Sequence, residues 1–141
     1  MVWLDKNNIT TMAKREILFR GWNKKNKKWL YGYYFTYRGN HFISPDDKVN
    51  PLDTYEDYVV EADTVGQYTG VKDANGVKIF EGDILVFDQW LAVVLWNEEL
   101  ATFALQFQFE DKVGLKPLGG WQTMTIIGNV HEDSDIIKTE L

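Results

Sequence analysis

Five cations and four aromatic rings, Trp22 among them, crowd one short stretch of this chain. Arg20 precedes Lys24, Lys25, Lys27 and Lys28, and Trp29, Tyr31 and Tyr33 follow at alternate positions. Lys14 and Arg15 lie just upstream. Cations that track phosphates, combined with ring faces that stack bases, equip proteins that bind single-stranded nucleic acid. Each stacked base would contribute about 1–3 kcal/mol. The same residues have a plainer use. One set of alternating rings fills a core, and the lysines solubilise an exposed turn. Both readings stand at this level.

Two other groups have the right atoms for chemistry. Glu81 and Asp83 flank Gly82, with Asp73 upstream. Paired carboxylates do acid–base work when their surroundings separate their pKa values. In tight turns such acids more commonly accept bonds from the backbone. The second group is His131-Glu132-Asp133-Ser134-Asp135, which with His41 holds both histidines. It offers hard oxygen ligands but lacks the glycine and spaced acids of a calcium loop. There is no phosphate-binding glycine loop ending in Lys-Ser/Thr and no Gly-x-Ser-x-Gly. The absence of cysteine removes disulfides, thiolate metal sites and cysteine nucleophiles. No catalytic residue, metal or cofactor is expected.

The elements that carry these residues read as strands and turns. Ile17, Phe19 and Gly21 alternate with Leu18, Arg20 and Trp22, which suits a strand. After the lysines, Trp29, Tyr31, Tyr33, Phe35 and Tyr37 recur at period two. Strand, lysine turn, strand predicts a β-hairpin. Arg38-Gly39-Asn40 predicts a turn. Ser44-Pro45-Asp46-Asp47 could start a helix, which Pro51 would keep short. Tyr58-Val59-Val60 suits a short strand, and a soft lobe boundary is placed between Ser44 and Asp63. Asp73-Ala74-Asn75-Gly76 and Glu81-Gly82-Asp83 are tight turns, since Asn, Asp and Gly tolerate left-handed backbone. Ile84–Phe87 is apolar enough to be buried on both faces. Trp90–Trp96 is the next strand, and Asn97-Glu98-Glu99 turns the chain again. Ala101, Phe103, Leu105, Phe107 and Phe109 alternate with Thr102, Ala104, Gln106 and Gln108, the cleanest strand pattern in the chain. Glu110–Gly120 is expected as loop and Trp121–Val130 as a final strand, with Met124, Ile126 and Val130 inward. Ile136-Ile137 could hold one helical turn. Short strands at near-ten-residue spacing predict a mainly β fold, a small barrel-like or strongly bent antiparallel sheet by SH3-like analogy. An N-terminal hairpin lobe and little helix complete it.

Charge is unevenly spread. Of 15 basic and 21 acidic residues, positions 1–43 carry a net +7 and the remainder −13. Such asymmetry suits partner binding or contact with another copy, and equally suits opposite charges facing each other within one monomer. The 21 aromatic residues exceed what one small core needs, and aromatics are enriched at interface centres. No apolar run approaches a membrane span of about 18 residues, and no signal peptide opens the chain.

A longer pattern carries a family resemblance. It comprises Thr64-Val65-Gly66-Gln67-Tyr68-Thr69-Gly70, Lys72-Asp73, Asn75-Gly76, Ile79-Phe80-Glu81-Gly82-Asp83-Ile84 and Ile127-Gly128-Asn129, with Phe19-Arg20-Gly21-Trp22 and Lys27-Lys28 upstream. Together these resemble the YopX family of bacteriophage and prophage proteins over roughly Met12 to His131. The resemblance implies a mostly β, phage-encoded protein with no established activity and no catalytic residue to transfer. The family's aromatic–aspartate pair stands here as Trp22-Asn23, a further reason to give that position no catalytic role. Gly66, Gly70, Asp73, Asn75, Gly76, Glu81, Gly82 and Asp83 are therefore assigned structural roles. Residues 1–11 are set aside as a poorly ordered extension. Residues 12–60 form the hairpin lobe, 64–131 the barrel-like lobe and 132–141 an acidic tail of one domain. The functional expectation is a non-enzymatic interaction or assembly module in the cytoplasm of a bacterial host. Its partners would be copies of itself, nucleic acid or a host protein, with no membrane. The alternative is a local single-stranded nucleic-acid binder using Arg20, Lys24, Lys25, Lys27, Lys28, Trp29, Tyr31 and Tyr33.

Overall fold

The structure is a computed structural model that describes residues 1–10, 14–47, 50–109, 112–119 and 123–139. Its first hairpin follows the aromatic alternation. β1 (Phe19–Asn23) pairs antiparallel with β2 (Lys28–Tyr37), with Trp22 opposite Trp29 and Arg20 opposite Tyr31. The lysine turn joins them, with Lys27 at a φ of 52°. Arg38-Gly39 turns the chain into β3 (Asn40–Ser44), whose Phe42 and Ile43 are fully buried. A single helical turn, α1 (Tyr55–Tyr58), leads into β4 (Val59–Val60). The Asp73–Gly76 turn joins β5 (Gly66–Lys72) to β6 (Lys78–Phe80). These strands make one six-stranded sheet in the order β4-β3-β2-β1-β5-β6.

The second sheet is built largely from neighbours in sequence. β7 (Asp83–Phe87), β8 (Trp90–Asn97), β9 (Thr102–Phe109) and β10 (Lys112–Pro117) form a meander, and β11 (Thr125–Asn129) joins the far side of β7. The β9 alternation holds in part: Phe103 and Leu105 are buried and Gln106 and Gln108 exposed, but Ala104, read on the opposite face, is fully buried as well. A last helix, α2 (Ser134–Thr139), occupies the tail where a helical turn is expected. No helix among the described residues is long and apolar enough to cross a membrane.

The main core lies where the β5–β6 hairpin covers the second sheet. Ile79, Leu85, Ala92, Val94, Leu105 and Met124 pack there, flanked by Val71, Phe87, Phe107, Leu118 and Ile126. Each fully buried Leu or Ile contributes about 1.5–3 kcal/mol relative to exposure. The first sheet bends back on itself. Glu61 N donates to Trp22 O at 3.0 Å, although β4 and β1 are three strands apart in the ladder. Flat strands at about 4.8 Å spacing could not meet this way. Gly21 permits the approach, because a Cβ there would lie 2.8 Å from the Val60 Cβ.

Several expectations need correction. Both strand orders have free ends, so these are two open sheets and not a closed barrel. The chain passes from the first sheet to the second at Gly82, between β6 and β7. Residues 45–47 form a bend, not a helix start, and Ser44 Oγ donates to Asp46 O. The helical turn comes later, at Tyr55. The segment read as loop contains β10, since Val113 and Leu115 continue the alternation of an edge strand and Pro117 sits at its end. Ala101 belongs to a turn at a φ of 52°, not to the β9 face. Trp121 lies outside the described residues, and Phe109 lies outside them for its side chain.

Candidate functional site

The tightest polar cluster forms where the two sheets meet. Gly82 adopts a φ of 89°, a region that glycine enters without steric cost. Its N–H donates to Val94 O, and its carbonyl accepts from Val130 N, both at 2.8 Å. Arg20 reaches this turn from β1. Its Nη1 pairs with Asp83 Oδ1 at 2.8 Å, and its Nη2 donates to Glu81 O at 3.1 Å. The guanidinium lies between two rings, 4.8 Å from the centre of Trp29 and 5.1 Å from that of Phe80. A planar delocalised cation suits this sandwich better than an ammonium would. Arg20 is 5% exposed and Asp83 2%. Arg20 Nε has no hydrogen-bond partner among the described residues.

The three carboxylates of this stretch do not converge on one point. Asp83 Oδ2 accepts from Phe80 N at 2.8 Å, and Glu81 Oε1 accepts from Gln67 N at 2.9 Å. Burial pushes the Asp83 carboxyl up, against the pull of Arg20 and the Phe80 amide. Asp73 Oδ1 takes the N–H groups of Asn75 and Val77, and Oδ2 takes that of Ile126 on β11. Burial raises the Asp73 carboxyl, but these three amides outweigh it and hold it below the usual carboxylate range. The other turn residues shape backbone. Gly70 and Gly76 have φ values of 92° and 81°. Gly66 admits Glu81 O, which a Cβ would meet at 2.8 Å.

An open cleft of about 500 Å³ lies beside this junction. β6 supplies Lys78 and Phe80, with Val77 just before it, and β11 supplies Ile126, Gly128 and Asn129. Leu18, Arg20, Tyr31 and Asp83 complete the lining. Backbone bonds close both ends: Ala74 N to Met124 O at one, Val130 N to Gly82 O at the other. Three separated strings of the sequence thus converge here, around Arg20, Phe80–Asp83 and Gly128-Asn129. Val77 and Ile126, which line the cleft, carried no chemical signal in the sequence.

The basic hairpin is less free than its composition suggests. Arg20 is buried and paired, so it leaves the solvent-facing set. Lys25 Nζ lies 3.0 Å from Asp57 and 3.5 Å from Glu56 on α1, and Asn26 also bonds Asp57. The Asp57 bond holds the Lys25 ammonium above its usual range. Trp29 is half-buried. It packs edge-on against Trp22 at 5.5 Å, lies 5.9 Å from the His131 ring and donates its indole N–H to Glu132. Lys24, Lys27 and Lys28 are exposed and have no ion pair among the described residues, and Tyr31 and Tyr33 are 47% and 59% exposed.

Asn23 is fully buried. Its Nδ2 donates to Glu56 O and Val59 O, and its Oδ1 accepts from Asn26 N. That side chain joins the lysine turn to α1 and β4. Asn129 does similar work in the tail, where its Oδ1 accepts from His131 N and Glu132 N. The two histidines stand apart: His41 stacks on Tyr34 and shares a 2.6 Å hydrogen bond with its hydroxyl, whereas His131 lies over Trp29. Burial pushes the His131 imidazole down, helped by Arg20 and opposed by Asp63 and Glu132. No group of three or more His, Cys, Asp or Glu able to hold a metal occurs among the described residues.

The search of curated proteins gives no match. Among solved structures, the crystal structure of protein EF1440 from Enterococcus faecalis is similar at 21% identity and a TM-score of 0.49. That match covers 88% of this chain and 99% of the other. The family model for the YopX protein matches residues 18–138, which include β1, both sheets and nearly all of the tail. With Arg20, the Gly82 turn and Asn129 all inside that span, the chain belongs to the YopX family.

Proposed function

We propose that this chain works by binding, as a non-enzymatic interaction module that assembles with copies of itself in the cytoplasm of a phage-bearing bacterial host. One contrast carries the reading. Asp73, Glu81 and Asp83 are all engaged by backbone amides or by Arg20. Tyr31, Tyr33 and Tyr37, by contrast, stand 47%, 59% and 43% exposed on one face of β2. Groups that could move protons are held in structural bonds, and large rings of the kind enriched at interface centres face outward. Light scattering of the purified chain across the micromolar range tests this. Self-association that weakens in a Tyr31→Ser, Tyr33→Ser variant supports it. A monomer at every concentration rules it out.

A second reading keeps one observation. Lys24 and Lys27 are exposed in the turn of the hairpin that carries Tyr31 and Tyr33, with no acidic partner among the described residues. A local single-stranded nucleic-acid site would use these lysines, Lys28 and the two tyrosines, without Arg20 or Lys25. It predicts a salt-sensitive gel shift that is lost on Lys24→Glu, Lys27→Glu, Lys28→Glu. No shift at low salt removes it.

A further inference from the structure

The sequence holds one Asn-Gly pair, Asn75-Gly76, and the fold sets it at the tip of the β5–β6 hairpin. Both residues are exposed. A glycine leaves its own backbone nitrogen uncrowded, and here nothing lies within 4 Å of where a Gly76 Cβ would stand. That nitrogen can attack the Asn75 side-chain amide. The bond from Gly76 N to Asn75 Cγ forms, the Cγ–Nδ2 bond breaks, and ammonia leaves with the proton that Gly76 N gives up. A five-membered imide remains. Water opens it at Cγ to give aspartate in an unaltered chain. Water at the original peptide carbonyl gives isoaspartate instead, and the chain then runs through Cγ.

In the folded turn the attacking nitrogen is engaged, because Gly76 N donates to Asp73 O at 3.0 Å. The Asp73 carboxylate holds the turn in that state. Its Oδ1 accepts from Asn75 N and Val77 N, and its Oδ2 accepts from Ile126 N on β11. Asp73 is 4% exposed, so these bonds are shielded from water on its side of the turn. The reaction needs them to open, and local opening of one exposed turn costs less than global unfolding.

We propose that Asn75 is a site of spontaneous deamidation, gated by the Asp73 carboxylate, and that its isoaspartate product releases the hairpin tip from β11. Oδ1 of Asp73 spans the amides of residues 75 and 77, and isoaspartate inserts one extra backbone carbon between those amides. The span then fails, and the carboxylate loses the position from which Oδ2 meets Ile126. The aspartate product keeps the span and adds a charge beside Asp73. None of this depends on self-association.

Incubation of the full chain in mildly alkaline buffer, followed by tryptic mapping, tests it. Lys72 and Lys78 bracket the site, so one peptide, Asp73–Lys78, carries it. That peptide should gain the mass of an amide-to-acid change in the folded chain, more slowly than in the urea-unfolded chain. Asp73→Ala should speed the change about tenfold or more. Asp83→Ala weakens the fold without touching the turn, and should speed it far less. Equal rates in the two variants would show that the reaction passes through global unfolding, and the gate would be wrong. Full conversion in urea with none in the folded chain would show that the site is closed, and would end the proposal. The isoaspartate fraction, separated by chromatography, should exchange its Ile126 amide about tenfold or more faster than the unmodified chain. Unchanged protection at Ile126 would sink the release from β11.

Discussion

Two charged regions sit on the same hairpin and behave in opposite ways. At the root of β1, Arg20 is buried, bonded to Asp83 and Glu81 and held between two rings. At the tip, Lys25 is half-exposed and pairs directly with Asp57 and Glu56 at the solvent surface. Charge at the root is committed to architecture, because breaking a buried pair leaves its partner without water or counter-charge. Charge at the tip is exchangeable, because solvent replaces any partner it loses. A count of cations ranks both places alike, and burial separates them.

The largest effect should come from splitting the root pair. Asp83→Ala strands the Arg20 cation and frees Phe80 N, and should cost about 3–5 kcal/mol in urea unfolding. A loss near that of an ordinary surface change would mean the pair is not desolvated as the geometry requires. Between root and tip lies Asn23. Asn23→Ala leaves the buried carbonyls of Glu56 and Val59 without their donor, a loss of about 1–3 kcal/mol. It should also loosen the lysine turn, visible as faster amide exchange at Asn26.

The acid limb of the stability curve probes the same contrast at Asp73. Its folded pKa is depressed, so its stabilisation is full above the unfolded value of about 4 and is lost as pH falls through the folded value. Unfolding midpoints measured from about pH 5 downward should fall, and Asp73→Asn should flatten that slope. The smallest effect belongs to the tip. Lys25→Ala should leave the urea midpoint of the parent unchanged within error, and a clear drop would show that the tip pair is structural after all.

Much of the fold was legible because it is local. Period-two alternation located β2 and β9, and Asp-x-Asn-Gly located the turn after β5. Local chemistry failed where a distant partner decides. Nothing near Arg20 announces Asp83, which is 63 positions away and becomes a neighbour only when the Gly82 turn is brought against the Arg20 side chain. β10 was hidden because Pro117 and Gly119 outweigh the weak alternation of Val113 and Leu115, yet an edge strand tolerates a terminal proline. The helix expected at Ser44 failed because the Ser44 hydroxyl serves Asp46 O instead of capping amides. The candidate site was half visible. Its polar base lies in the turn motifs, whereas its apolar walls are ordinary residues that acquire meaning only by meeting.

Those meetings have an order in time. β11 receives the Asp73 carboxylate at Ile126, and the residues flanking it receive the Ala74 amide at Met124 and the Gly82 carbonyl at Val130. It is also the last of the described strands to leave the ribosome. A nascent chain stopped before residue 124 therefore carries the whole first sheet and the β7–β10 meander without these three ties. Released chains truncated on either side of residues 124–130 should differ sharply in protease resistance, with protection of the Asp73–Gly82 stretch arriving only in the longer ones.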